Sequence, residues 1–235
     1  MRILPLTLRE LTAFKQDFTD ENRLIGRAIR KNIPPSKGGI ILDVGAGLGD
    51  IAAFAFPERR ALLIDVLDFP GPLNAPHSRQ RVDFLDFKIS EGIDVDVLLL
   101  SHVLQYIDDD IPKLVAKIAE LDPSYLISVA NRPTVFFRKI ERWFSHQGIV
   151  HNGEKAFQSC PMTEYRVRSA QVLTSKLTCP DFETLAYQLA SIIFDTSLDE
   201  RRLRLFGDWI AGNAAAPEIS IPQTVTLYEK SFNYA

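Results

Sequence analysis

Apolar positions along the chain follow two rhythms in turn. Residues 20–32 (DENRLIGRAIRKN) place Leu24, Ile25, Ala28 and Ile29 on one helical face, and Pro34, Pro35 and the Gly38-Gly39 pair end that helix. Ile40-Ile41-Leu42 is then a short continuous apolar run, the pattern of a strand buried on both faces. Glycines follow, and residues 50–56 (DIAAFAF) read as a helix ended near Pro57. The alternation continues with strands over 61–64, 81–85, 95–100 and 125–129. Between the last two lies an amphipathic helix over 109–121. Its Ile111, Leu114, Val115, Ile118 and Leu121 share a stripe, and Asp109 or Asp110 can cap its start. Strands alternating with helices predict an α/β fold: a doubly wound, mostly parallel sheet with right-handed crossovers and helices on both faces.

After Asn131 the rhythm changes. Residues 133–146 suit a helix with Pro133 in its first turn. Residues 147–164 read as a loop and residues 166–177 alternate as a strand. Residues 181–194 form a helix opened by Asp181. Ser197 and Glu200 match a capping box for a further helix through about Ile210, and residues 219–228 close the pattern as a seventh strand. No linker rich in Gly, Ser or Pro divides the chain, so the expectation is one domain over residues 1–235.

Composition narrows the function class only slightly. The 235 residues are 46% apolar and 24% charged, an ordinary globular balance. A net charge of −3 gives no general attraction to nucleic acid or anionic membrane. Cys160 and Cys179 stand in no CxxC pair and beside no histidine at metal-ligand spacing, so a disulfide framework and a metal site are not expected. The opening MRILPLTLRELTAF has no sustained apolar stretch, and no window approaches the ~18 apolar residues of a membrane span. A reduced, cytoplasmic setting with no membrane partner is the resulting expectation.

The segment Ile40-Ile41-Leu42-Asp43-Val44-Gly45-Ala46-Gly47-Leu48-Gly49-Asp50 carries the functional reading. A buried strand brings the chain to the carboxyl edge of the sheet, where open α/β folds bind ligands. Gly45 and Gly47 allow a tight turn and close approach to a ligand. The rival is a dinucleotide loop, which wants G-x-G-x-x-G. Here the spacing is G-x-G-x-G, with Asp50 in the sixth position, and a carboxylate is a poor neighbour for a pyrophosphate. The segment resembles the first signature of class I S-adenosylmethionine (SAM)-dependent methyltransferases. That resemblance implies SAM as cofactor, Asp43 facing its cationic amine, and the turn of Gly45, Ala46, Gly47 and Gly49 around it.

Three further stations match that family in order. Asp65 ends the second strand; the resemblance implies that it holds the ribose hydroxyls, with Val66 beside it, although the same placement would serve NAD. Phe84-Leu85-Asp86-Phe87 follows the third strand and is similar to the adenine station. There Asp86 would accept from the adenine amino group and Leu85 and Phe87 would flank the ring. Val95 through Ile107 resembles the fourth station, where Ser101 would lie under the sulfonium. The likeness is good over residues 40–129 and only general outside them. It implies a seven-stranded sheet whose last strand is antiparallel. The chain then divides into an N-terminal helical arm or lid (1–36), a SAM-binding half (37–130) and a substrate-side half (131–235).

For catalysis the candidate general base is His102, which follows the fourth strand; packing or orientation is the competing role. His146 and His151 flank a loop, and His77 is expected in solvent. Substrate walls are sought in Phe14 and Phe18 of the arm, His102 and Tyr106 after the fourth strand, Trp143 in an aromatic helix, and Tyr165. Plain packing is the alternative for each. Residues 132–168 hold seven Arg and Lys against three Glu, which would suit an anionic substrate or RNA. No RNA-binding module accompanies them, and the pI of about 5.8 argues against nucleic acid. The reading is methyl transfer to oxygen or nitrogen of a small metabolite, with specialised biosynthesis as one setting. RNA methylation and a non-catalytic SAM-binding partner protein are the alternatives. The acceptor and the oligomeric state are left open.

Overall fold

The apolar runs become strands at nearly the expected bounds. In the computed structural model, which describes residues 18–34, 38–69, 76–104, 111–150, 164–194 and 196–231, seven strands form one sheet. They are β1 (Ile40–Val44), β2 (Ala61–Asp65), β3 (Ser78–Arg81), β4 (Val95–Ser101), β5 (Tyr125–Asn131), β6 (Tyr165–Thr178) and β7 (Glu218–Lys230), in the order β3-β2-β1-β4-β5-β7-β6. The β3–β2, β2–β1, β1–β4 and β4–β5 pairs are parallel. β7 runs the other way. The Arg132 N–H donates to Pro222 O and the Lys230 N–H to Ser124 O, so β7 descends as β5 ascends. Cys179 to Pro217 and Ser231 to Glu164 give the same sense against β6.

The helices are α1 (Glu21–Asn32), α2 (Asp50–Ala55), α3 (Ile111–Leu121), α4 (Val135–His146), α5 (Phe182–Gln188) and α6 (Glu200–Ala211). The chain forms two compact units. One comprises Asn22–Ala130, Lys155–Leu173 and Thr224–Ala235; the other comprises Met1–Glu21, Asn131–Glu154 and Thr174–Gln223. The change at Asn131 falls where the sequence rhythm changes. α1 groups almost entirely with the first unit.

In the first unit, successive strand residues point to opposite faces, and each face has its own core. Leu42, Val44, Leu98, Leu100 and Leu126 pack with Leu114, Ile118 and Leu121 of α3. Ile41, Leu63, Val97, Leu99 and Ile127 pack with Ile25 and Ile29 of α1 and Ile51 and Ala52 of α2. This is the doubly wound arrangement, and it fixes which strand ends can carry a site.

The second unit is built on aromatic side chains of α4, α5 and α6. Trp143 stacks on Phe206 at 4.7 Å between ring centroids, and Phe144 meets Phe194 edge-on at 5.4 Å. Each helix starts at a side-chain cap that accepts an otherwise orphaned N–H. Thr134 accepts from Phe137 (3.0 Å), Asp181 from Thr184 (2.7 Å) and Asp199 from Arg202 (2.8 Å). Two expectations need correction here. Pro133 lies before the cap Thr134 and not in the first turn, and Asp199 caps α6 in place of Ser197. After Gln188 the helix widens into a π-helical turn, Leu189–Ile193, closed by the Phe194 N–H on Leu189 O at 3.0 Å.

The third strand is also corrected. β3 is the polar edge Ser78–Arg81, and residues 82–87 turn back on themselves. The Asp83 carboxylate accepts the Leu85 N–H at 2.8 Å, and the Asp86 and Phe87 N–H groups donate to Asp83 O and Phe84 O. Phe84 and Phe87 then plug the core beneath α3. Lys117 of α3 donates to Phe87 O at 2.8 Å and pairs with Glu120 at 2.7 Å, which satisfies an ammonium buried among apolar groups.

Candidate functional site

β1 delivers Asp43, 2% exposed, to the carboxyl edge of the sheet, and the turn from Gly45 to Gly49 leads into α2. Two glycines there are required by the backbone. Gly45 has φ +62°, and a Cβ on it would overlap the Cγ1 methyl of Val103, in the segment after β4. Gly49 has φ +81° and would carry a Cβ into Leu63 of β2. The turn is therefore pressed against its neighbours on two sides, and side chains are excluded at these two positions.

Hydrogen bonds fix the same turn. The Ala46 N–H donates to Ile64 O at 3.2 Å and the Gly49 N–H to Ala46 O at 2.8 Å. Asp65 accepts the Gly47 N–H on Oδ2 at 3.0 Å and the Leu67 N–H on Oδ1 at 2.9 Å. Each carboxylate oxygen keeps a second lone pair, so these bonds leave capacity for two hydroxyls. Asn22 of α1 donates to the Asp50 carboxylate at 3.3 Å, which ties the start of α2 to α1.

β4 ends at Ser101. Its hydroxyl oxygen is buried and has no hydrogen-bond partner among the described residues, and such groups call for a bound polar molecule or water. His102 follows in the left-handed region (φ +56°), half-buried, with its N–H donated to Val129 O at 3.0 Å. Non-glycine residues held there carry backbone strain, which clusters at functional sites.

The structure thus gathers Asp43, Gly45, Ala46, Gly47, Gly49, Asp65, Val66, Leu85, Asp86, Phe87, Ser101 and His102 in one unit. Val66 is 55% exposed beside Asp65, Leu85 is half-buried and Asp86 is exposed on its turn. Phe87 is 1% exposed and packs in the core. Tyr165 is buried in the same core and donates its hydroxyl to Pro123 O at 2.6 Å. Phe18 and Trp143 pack against the core of the other unit. Phe14, Tyr106, Asp109, Asp110, His151 and Cys160 lie outside the described residues. His77 is half-buried, not solvated, and desolvation holds its imidazole below the usual histidine pKa. Of the basic stretch, Arg166 and Arg168 both pair with Glu229, at 3.4 and 2.8 Å, while Arg138, Lys139 and Arg142 are exposed on α4.

Arg79 of β3 is the residue that the sequence pattern missed. Its Nη2 donates to Gly47 O and Leu48 O, each at 3.3 Å, and its Nη1 donates to Phe69 O. The guanidinium carbon stands 6.0 Å from the centre of the Phe69 ring. Nothing in the spacing of Ser78-Arg79-Gln80-Arg81 signals this contact, because it is made across two strands to a loop.

Among the described residues no group of His, Cys, Asp or Glu is placed to hold a metal ion, and no helix is long and apolar enough to cross a membrane. No protein-family model matches the chain. No curated protein matches it in sequence. Solved structures do match. A protein of Bacillus halodurans C-125 assigned as a methyltransferase superposes with a TM-score of 0.62 at 10% identity, over 88% of this chain and 98% of its own. An assigned type II methyltransferase of Anaeromyxobacter dehalogenans gives 0.55 at 13% identity, over 89% and 95%. A cyclopropane-fatty-acyl-phospholipid synthase-like protein of Lactobacillus casei ATCC 334 gives 0.52 at 13% identity, over 97% and 95%. With the strand order and the antiparallel β7, these likenesses show the fold, a Rossmann-like seven-stranded sheet of the kind those methyltransferases share.

Proposed function

We propose that this chain is a cytoplasmic SAM-dependent methyltransferase that alkylates oxygen or nitrogen of a small molecule. The observation that carries the reading is the cradle itself. A glycine turn at the carboxyl end of β1 is held by the carboxylate at the end of β2, with acidic groups where a cationic nucleoside would need them. Asp43 would meet the amine of SAM, Asp65 the ribose diol, Val66 and Leu85 the adenine faces, and Asp86 the adenine amino group. The orphaned Ser101 hydroxyl suits such a polar guest. When bound, SAM supplies an activated methyl group, as group-carrying cofactors do.

The chain's own contribution is to hold reactants in line and keep water out, a means by which enzymes gain up to roughly 7–11 kcal/mol. His102, on its strained backbone after β4, is the proposed general base for an acceptor that arrives protonated. Glu229 pairs with both Arg166 and Arg168 and so offsets one of their two positive charges, which lowers the local surplus an RNA would use and supports the small-molecule reading. The test is methyl transfer from isotope-labelled SAM to a panel of phenols, amines and carboxylic acids, with total RNA in parallel. Label in small-molecule products supports the reading; label in RNA alone would contradict it.

A further inference from the structure

The geometry points to Arg79 as a positioning residue for the cofactor turn, acting on bound SAM through Gly47 and Leu48; this rests on the cofactor reading above. The peptide units at Gly47 are gripped from two strands. β2 takes the N–H through Asp65 Oδ2 at 3.0 Å, and β3 takes the carbonyl through Arg79 Nη2 at 3.3 Å. The same nitrogen reaches Leu48 O, and the other terminal nitrogen reaches Phe69 O. Three carbonyls from two loops, one after β1 and one after β2, therefore converge on a single planar cation.

A guanidinium suits this task and an ammonium does not. Its donors radiate in a fixed fork, so one side chain spans several carbonyls with little further loss of freedom. It stays charged at every working pH, so the brace does not titrate. The brace has a cost: Arg79 Nε is buried and has no partner among the described residues. Arg79 also lies over Phe69, 3% exposed, which anchors the guanidinium plane from the side of the β2–β3 connection. Gly47 sits at φ +54° and has no side chain of its own to hold it. Its conformation depends on Asp65 and Arg79 together, and Asp65 is also the proposed ribose ligand.

Arg79→Ala, Arg79→Lys and the wild-type chain separate this role from a generic packing role. S-adenosylhomocysteine is titrated into each by calorimetry, with and without about 20 mM guanidinium chloride, far below denaturing concentrations. The expected result is about tenfold weaker binding for Arg79→Ala, recovered by guanidinium but not by equimolar sodium chloride, with Arg79→Lys in between. Hydrogen exchange in the ligand-free proteins gives a readout that needs no cofactor. The Gly47 and Gly49 amides should exchange faster in Arg79→Ala and regain protection with guanidinium, while amides of β4 do not change. Unaltered exchange at Gly47 and Gly49, or affinity equal to wild type, would overturn the proposal, as would a loss that guanidinium cannot restore. Failure of the wild-type chain to bind S-adenosylhomocysteine would instead overturn the cofactor reading, and the exchange measurement would still decide whether Arg79 holds the turn.

Discussion

Asp65 and Gly47 lie eighteen residues apart, and the Oδ2 of one accepts the N–H of the other at 3.0 Å. The carboxylate proposed to hold the ribose is thus also a strut of the glycine turn. Ligand binding and loop order share one group, so a change at Asp65 should act on both. Asp65→Ala is expected to weaken S-adenosylhomocysteine binding by about 1–3 kcal/mol, the usual cost of leaving buried polar groups unpaired. Asp65→Asn keeps one acceptor oxygen and should lose less. Calorimetry on the two variants checks the order, and wild-type affinity in both would remove Asp65 from the site.

Gly45 and Val103 give a second test. The glycine needs φ +62° and has a methyl of Val103 where its Cβ would go. Gly45→Ala should therefore destabilise the protein by about 1–3 kcal/mol and abolish cofactor binding. Adding Val103→Ala removes the overlap but not the strain, so the double variant should recover part of the loss. Urea unfolding of the four proteins in this cycle measures the coupling; strict additivity would show that the two residues do not press on each other.

For His102 the expectation is a split between binding and turnover. His102→Ala should leave S-adenosylhomocysteine affinity within twofold while kcat falls by about 10²–10⁴ if the imidazole is a general base. His102→Asn, whose side chain also tolerates the left-handed region, should keep the fold without restoring kcat. Undiminished turnover in both variants would assign His102 to packing.

Asp181 gives the fold a pH dependence. Its carboxylate accepts the Thr184 N–H at the start of α5, which holds its pKa below the ordinary aspartate value. A depressed carboxylate stabilises the fold above the unfolded pKa, and that contribution is lost as the pH falls below about 4. Asp181→Asn caps without titrating. Its midpoint of thermal unfolding should decline less than that of wild type between pH 5 and pH 3, and parallel declines would exclude the cap as the cause. Nearby, burial pushes the Cys179 thiol up to about 11. In the native protein that cysteine should resist iodoacetamide at pH 8, as read by peptide mass mapping.

Most of the architecture was legible because buried parallel strands announce themselves. Ile40–Val44, Ala61–Asp65, Val95–Ser101 and Tyr125–Asn131 are apolar on both faces. The third strand, expected over 81–85, lies at Ser78–Arg81 for the opposite reason: an edge strand with three exposed residues of four has no apolar rhythm to read. The apolar residues beside it, Val82, Phe84 and Phe87, belong to a turn that fills the core. In the candidate site, the acidic stations at strand ends were visible as spacing. Arg79 was not, because a guanidinium reaching across two strands to loop carbonyls obeys no interval along the chain. The burial of Phe87 and Tyr165 was likewise not legible, because pattern alone does not say which aromatic side chains the core takes up.

The most direct measurement is a pair of calorimetric titrations on the wild-type chain, one with S-adenosylhomocysteine and one with NAD. A turn shaped for a sulfonium nucleoside predicts saturable one-to-one binding of S-adenosylhomocysteine, weakened by Asp65→Ala, and no heat from NAD. Binding of NAD, or of neither compound, would contradict the account and leave only the layered fold.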